Sequence, residues 1–261
     1  HFYMKYGKFI NLGKRALFLV LSIYFILFTY VRTALAASFW PSAISIEADG
    51  GILMEAQTGT VLFAKNADQP YYPASITKIL TALIVLEHCS LDEEVTFSHD
   101  DVYNVEVGSS TAGIDEGDVL TVRDCLYALM LASANESANA LACHVSGSRE
   151  AFAELMNQTA KSLGCTGSHF ANPSGLNDEN HYTTAHDMAL ITRAAIQNPD
   201  FLEIDGARNY KLPPTKRNPE GGYVANHHRM LVKNTSVYYP GAFAGKTGYT
   251  SIAGNTLVTC A

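Results

Sequence analysis

The ten residues YYPASITKIL, Tyr71 to Leu80, decide how the rest of the chain is read. A proline-led turn runs into an apolar helix and carries a serine at position 75 and a lysine three residues later. Residues i and i+3 share a helix face, so Ser75 and Lys78 present their side chains together. Pro73 suits a first helical turn, which puts Ser75 near a helix N-terminus, where free N–H groups and the macrodipole favour negative charge. A serine is a weak nucleophile unless a base lies within hydrogen-bond reach. A lysine can be that base only when neutral, and at its ordinary pKa of about 10.4 it is almost wholly charged at neutral pH. Burial, the helix end and a second nearby cation would each lower that value. Ile79, Leu80, Leu83, Ile84 and Leu86 cover most of the helix circumference, which places this helix at the centre of a domain. Taken alone, Ser-x-x-Lys is also what a surface lysine after a serine looks like, although no other copy of it occurs in the chain.

Two triplets further on change the weight of that reading. Ser133-Ala134-Asn135 begins 58 residues after Ser75, between the helical patterns VRDCLYALMLA and ESANALACHV, the second stopped by Gly147. A hydroxyl and a carboxamide in such a break can point into a cleft, or can simply cap a helix. Lys246-Thr247-Gly248 follows 111 residues after Asn135 in a strand-like run, where glycine permits close backbone approach. A lysine on an edge strand can equally serve to block aggregation.

Ser-x-x-Lys, Ser-x-Asn and Lys-Thr-Gly in that order resemble the three signatures of penicillin-recognising serine enzymes, an established motif set of penicillin-binding proteins and class A β-lactamases. The stretches PASITKILTALIVLE, LASANESANALA, HFANPSGLNDENHYTTAHDMALI and GAFAGKTGYTSIAG resemble the D-alanyl-D-alanine carboxypeptidases among the low-molecular-mass penicillin-binding proteins, over roughly Ala48 to Ala261. The resemblance implies an α+β fold of the DD-peptidase and serine β-lactamase kind. In that fold an antiparallel sheet joins an N-terminal hairpin to the C-terminal strands, a helical lobe is inserted between them, and the active site lies at their junction. It implies removal of the terminal D-alanine from peptidoglycan stem peptides through an acyl-enzyme, covalent binding of β-lactam antibiotics, and no cofactor. Carried over, Ser75 is the nucleophile, Lys78 its proton acceptor and Ser133 a relay toward the departing amine. Asn135 holds the substrate amide, Lys246 supplies the second cation, and Thr247, with Thr250 as a weaker candidate, binds the terminal carboxylate. The N–H groups of Ser75 and Tyr249 form the oxyanion hole beside Gly248. A β-lactamase would need a deacylating carboxylate where this chain has ANPSGLNDENHYTTA, which resembles the carboxypeptidase pattern instead. A penicillin-sensing module would need a signalling domain, and none is visible in the sequence.

Composition bounds the rest. The chain has 261 residues, enough for one large domain or two small ones. Lys5, Lys8, Lys14, Arg15 and Arg32 precede any acidic residue, and between Arg15 and Arg32 lie sixteen mainly apolar residues, followed by Ala-Leu-Ala at 34–36. This is the pattern of an export signal, with Met4 as the first plausible start and residues 1–3 lying upstream of it. The run is short for a membrane span. The expected organisation is therefore a signal peptide over 1–36 and a catalytic domain over 37–261 of an exported, extracytoplasmic protein. The part after residue 36 has 13 basic against 25 acidic residues, a net −12, which gives no footprint for nucleic acid. Cys89, Cys125, Cys143, Cys165 and Cys260 show no CxxC spacing, and Cys125 and Cys143 read as small buried hydrophobes. His181, His186, His227 and His228 lack a zinc-peptidase pattern, so no metal is expected.

Local patterns complete the expectation. GILMEAQTGTVLFAKN reads as a hairpin turning at Thr58-Gly59, Ser90 to Leu120 as polar loop, and Glu150 to Leu163 as a helix. ANPSGLND reads as a turn, Thr184 with Asp187 as a capping box for a helix over 185–197, and KLPPTKRNPEGGY as loop. The final NTLVTCA is strand-like and stops without a turn, so the domain is expected to be C-terminally truncated. In the resembling family a β-rich domain and an amphipathic anchor commonly follow, which implies membrane association through a segment missing here.

Overall fold

The computed structural model describes residues 17, 19–25 and 44–261. The chain divides into His1–Glu47 and Ala48–Ala261. In the first unit Leu17 and the residues from Leu19 to Phe25 are helical and exposed. Among the described residues no helix is long and apolar enough to cross a membrane. Most of the expected signal segment, including Ala34 to Ala36, lies outside the described residues.

In the second unit, α1 (Lys78–His88) runs through the middle, and every residue from Lys78 to Val85 is buried. Around it pack α3 (Val122–Leu131), α4 (Asn135–Ser146), α5 (Arg149–Ser162), α6 (Ala185–Ala195) and α7 (Pro199–Asp205), which accounts for its all-round apolar pattern. Fully burying one such Leu or Ile contributes about 1.5–3 kcal/mol, so this single helix anchors much of the core. The short α2 (His99–Tyr103) packs on α4. Ser98, Thr121, Ser148 and Asn198 cap α2, α3, α5 and α7 through their side chains. Gly147 ends α4 at φ +79°, a conformation that glycine adopts without strain.

The strands form four two-stranded antiparallel ladders among the described residues. They pair β1 (Gly51–Met54) with β2 (Val61–Lys65), β3 (Glu94–Thr96) with β4 (Val119–Thr121), β5 (Asn209–Lys211) with β6 (Tyr223–Ala225), and β7 (Ala244–Thr250) with β8 (Gly254–Cys260). The α+β class holds, but the single sheet expected to join the first hairpin to the last strands is not formed. Each of those strands finds its partner across a short turn, the least costly loop to close, and no described strand bridges the two ladders.

Several local expectations need correction. Ser75 lies in a 3₁₀ turn, Ala74–Thr77, and the α-helix starts only at Lys78. The regions read as loop contain β3, α2 and β4, and parts of β5 and β6, all too short to show a period. Thr184 accepts the Asp187 N–H at 3.0 Å, yet the Asp187 carboxylate turns away to Thr166, Gly167 and Ser168, so only half of the capping box forms. All five cysteines are free thiols; Cys125 is buried as expected, whereas Cys143 is only half-buried.

Candidate active site

The first turn of α1, the start of α4 and strand β7 converge on one point. Lys78 Nζ is fully buried and lies 3.1 Å from Ser75 Oγ, 2.8 Å from Asn135 Oδ1 and 2.6 Å from the Ser174 carbonyl oxygen. Desolvation holds its pKa well below the ordinary lysine value; the Lys246 charge pushes it lower, and the buried Glu136 carboxylate opposes both. Lys246, named in the sequence as the candidate second cation, thus lies near enough for its charge to act on Lys78. Lys246 is itself buried and donates to Ser133 Oγ at 3.1 Å and to the Thr247 carbonyl at 2.9 Å. Burial lowers its pKa to about 8 against the attraction of Asp205.

Backbone geometry explains how these groups are held. Among the described residues, the non-glycine positions with positive φ are Asn66, Ala74, Ser133 and Asn234. Asparagine tolerates that region, whereas Ala74 (φ +51°) and Ser133 (φ +59°) do so at a cost of order 1–3 kcal/mol, and both flank the site. Gly248 lets β7 lie against the turn that carries Ser75. A Cβ there would stand 2.3 Å from Thr256 Oγ1, 2.8 Å from the Ser75 nitrogen and 3.1 Å from the Ile76 nitrogen. Thr256 in turn donates to the Pro73 carbonyl at 2.7 Å, tying β8 to the same turn.

The remaining sequence candidates divide. Asn135 opens α4 and gives its carbonyl oxygen to Lys78, while Thr247 is half-buried beside Lys246. Tyr249 follows on β7 with an exposed ring. Thr250 is buried, and its hydroxyl accepts the Ala253 N–H at 3.2 Å, so it serves the β7–β8 turn. Of the histidines set aside as zinc ligands, His181 meets Thr77, His186 meets Asp68 and His228 meets Val258 and Thr259, with no shared focus.

Sequence reasoning missed several supports. The turn Asn172–Gly175 forms one wall: Thr81 Oγ1 donates to the Pro173 carbonyl at 2.7 Å, and Asn172 Oδ1 accepts from the Ser174 and Gly175 N–H groups. Asp205 is buried, pushed up to about 7 by desolvation, and accepts the Gly245 N–H at 2.7 Å. Glu136 accepts the Ala112 N–H at 2.6 Å, and burial raises its pKa. For Thr81 and Glu136 the only signal was a polar residue inside an apolar helical pattern, which also fits a solvent-facing position, whereas Asp205 and the turn Asn172–Gly175 carried no such signal.

The sequence profile described as D-alanyl-D-alanine carboxypeptidase matches residues 37–261. The chain is 34% identical to the D-alanyl-D-alanine carboxypeptidase DacF of Bacillus subtilis over 81% of its own length and 53% of that protein's. To DacB2 of Mycobacterium tuberculosis it is also 34% identical, over 80% and 69%. It thus spans roughly half to two thirds of the length of these relatives. Among solved structures, a D-alanyl-D-alanine carboxypeptidase from Mycobacterium tuberculosis superposes with a TM-score of 0.75 at 32% identity, covering 84% of this chain and 81% of that one. A Streptomyces DD-transpeptidase superposes with a TM-score of 0.77 at 32% identity, covering 85% and 87%. With its three signatures gathered around one buried lysine and its profile match extending from residue 37 to the last residue, the chain belongs to the D-alanyl-D-alanine carboxypeptidase family.

Proposed function

We propose that the protein removes the terminal D-alanine from peptidoglycan stem peptides through a serine acyl-enzyme, and that β-lactams acylate the same serine. The observation that carries this reading is the set of partners of Lys78. A neutral amine has two hydrogens and one lone pair. Asn135 Oδ1 and the Ser174 carbonyl can only accept, so they take the two hydrogens, and the lone pair is left for the Ser75 hydroxyl. Lys78 then takes the Ser75 proton as Oγ bonds to the carbonyl carbon of the penultimate residue. The N–H groups of Ser75 and Tyr249 receive the oxyanion, a contribution of about 3 kcal/mol per donor. As the C–N bond breaks, the proton that Lys78 took from Ser75 reaches the leaving D-alanine nitrogen through the Ser133 hydroxyl, which gives one proton and receives one, while the Lys246 ammonium donates to Ser133 Oγ and stabilises negative charge there. Water then cleaves the ester and regenerates Ser75. Asn135 Nδ2 holds the substrate amide, and Lys246 with Thr247 holds the terminal carboxylate, with Gly248 leaving room for it.

On the same reading, residues 1–36 direct export, residues 37–261 are the catalytic domain, and the peptidoglycan outside the cytoplasm is the site of action. The test is mass spectrometry of the full chain after reaction with a labelled penicillin. Label on Ser75, lost in Ser75→Ala, is expected. Label on another residue, or none on folded protein, refutes the assignment.

A further inference from the structure

Helices α1 and α4 are joined at their starts by Lys78 and Asn135, and they run side by side in the same direction. Their far ends also meet. Cys89 caps α1 in an extended conformation, His144 lies in the last turn of α4, and Glu93 reaches in from the turn after α1. The thiol sulfur, an imidazole nitrogen and a carboxylate oxygen lie within 4.8 Å of one another. His144 Nε2 is 2.9 Å from Glu93 Oε2, and Glu93 Oε1 accepts the Ser90 N–H at 2.6 Å.

We propose that Cys89, Glu93 and His144 bind a divalent cation of the zinc type, at a site separate from the serine and lysine cluster. Thiolate, imidazole and carboxylate together are a donor set that suits zinc. Bonds of about 2.0–2.3 Å put tetrahedral ligands some 3.3–3.8 Å apart, so the three donors need only side-chain adjustment. The Ser90 N–H already fixes the carboxylate, as outer partners of metal ligands do. The His144 and Glu93 side chains are 25% and 42% exposed, which leaves a fourth position open to water. Without metal, burial and the Glu93 charge keep Cys89 in its thiol form. On binding, the thiol loses its proton to solvent, while His144 binds neutral and Glu93 ionised. An 11-residue helix is about 16 Å long, so the ion sits a full helix length from Ser75 and clamps the ends of α1 and α4 without touching the reaction. The plain alternative is a surface His–Glu pair with a thiol beside it.

The full chain titrated with Co²⁺ distinguishes the two. The site predicts a thiolate-to-cobalt charge-transfer band in the near ultraviolet, displaced by Zn²⁺. The band is lost in Cys89→Ser and kept in Cys143→Ala, and the metal binds at least about tenfold more weakly in His144→Ala and Glu93→Gln. Penicillin acylation stays within about twofold of wild type in each variant. Glu93→Gln changes an exposed side chain with little change of shape, so it reports on the site even if Cys89→Ser disturbs folding. Absence of the band, its survival in Cys89→Ser, or affinity unchanged in Glu93→Gln overturns the proposal.

Discussion

Replacing Gly175 with alanine puts a methyl group into the wall of the lysine site. The added Cβ would lie 1.9 Å from the Ala74 carbonyl oxygen, 2.5 Å from the Ala74 carbonyl carbon and 2.9 Å from Thr77 Oγ1. Its φ of +83° alone costs an alanine about 1–2 kcal/mol. Relieving the overlap moves backbone on one side or the other, and overpacking of this kind costs about 1–3 kcal/mol more. Together that is roughly 2–5 kcal/mol out of a typical stability of 5–15 kcal/mol. Gly147 is the matched control, with φ +79° and nothing within 4 Å of an added Cβ, so Gly147→Ala carries the backbone cost alone. The two variants also part in chemistry. The Ser174 carbonyl holds Lys78, and Ala74 directly precedes Ser75, the proposed nucleophile, so a shift of about 1 Å on either side is expected to lower acylation on the order of 100-fold. Urea unfolding and the penicillin acylation rate, measured on the full chain, read the two effects. Gly175→Ala is expected to lose both stability and acylation, and Gly147→Ala stability alone. Equal destabilisation of the two, with acylation of Gly175→Ala within twofold of wild type, would refute the reasoning.

Other outcomes follow from the charges. Lys246→Ala removes a cation that lowers the Lys78 pKa, so the acidic limb of the acylation pH profile should move to higher pH and carboxylate-bearing substrates should bind more weakly; an unmoved limb counts against the pairing. Asp205→Asn removes the group that raises Lys246, so Lys246 loses its charge at lower pH and the alkaline limb should move down, which a pH profile with a carboxylate-bearing substrate would show. His181 accepts the Ala171 N–H on Nδ1 and therefore donates from Nε2 to Thr77, and burial lowers its pKa to about 4. The unfolded chain takes up this proton below about pH 6.5 and the folded chain does not, so stability is lost as pH falls from about 6.5 to 4, by roughly 3 kcal/mol in all. Urea midpoints at pH 7.5 and 4.5 should fall further for wild type than for His181→Gln.

The i, i+3 spacing made Ser75 and Lys78 legible as a pair, because helical periodicity is a local property. The Ser133–Lys246 contact spans 113 positions, and no local pattern encodes it; only the resemblance brought those residues together. The Ser174 carbonyl was invisible for another reason, since a backbone oxygen has no residue type and ANPSG read simply as a turn. The helices α3 to α6 appeared within a few residues of their observed bounds, because each carries a sustained apolar stripe. Strands β3 to β6 have three residues each, too few for an alternation to stand out. Helix α2 did carry a local sign, Ser98 with Asp101, which forms both halves of a capping box inside what read as loop.

The left-handed backbone at Ala74 and Ser133 bears on how this site can change over generations. Glycine at either position would release the backbone strain, while loosening the groups gathered around Lys78 and, at 133, deleting the hydroxyl to which the buried Lys246 donates. Selection for robustness alone therefore drives these two positions in the direction that erodes the site, and selection for turnover drives them back. A thermostabilised variant obtained without screening for acylation should be inspected at these two positions first.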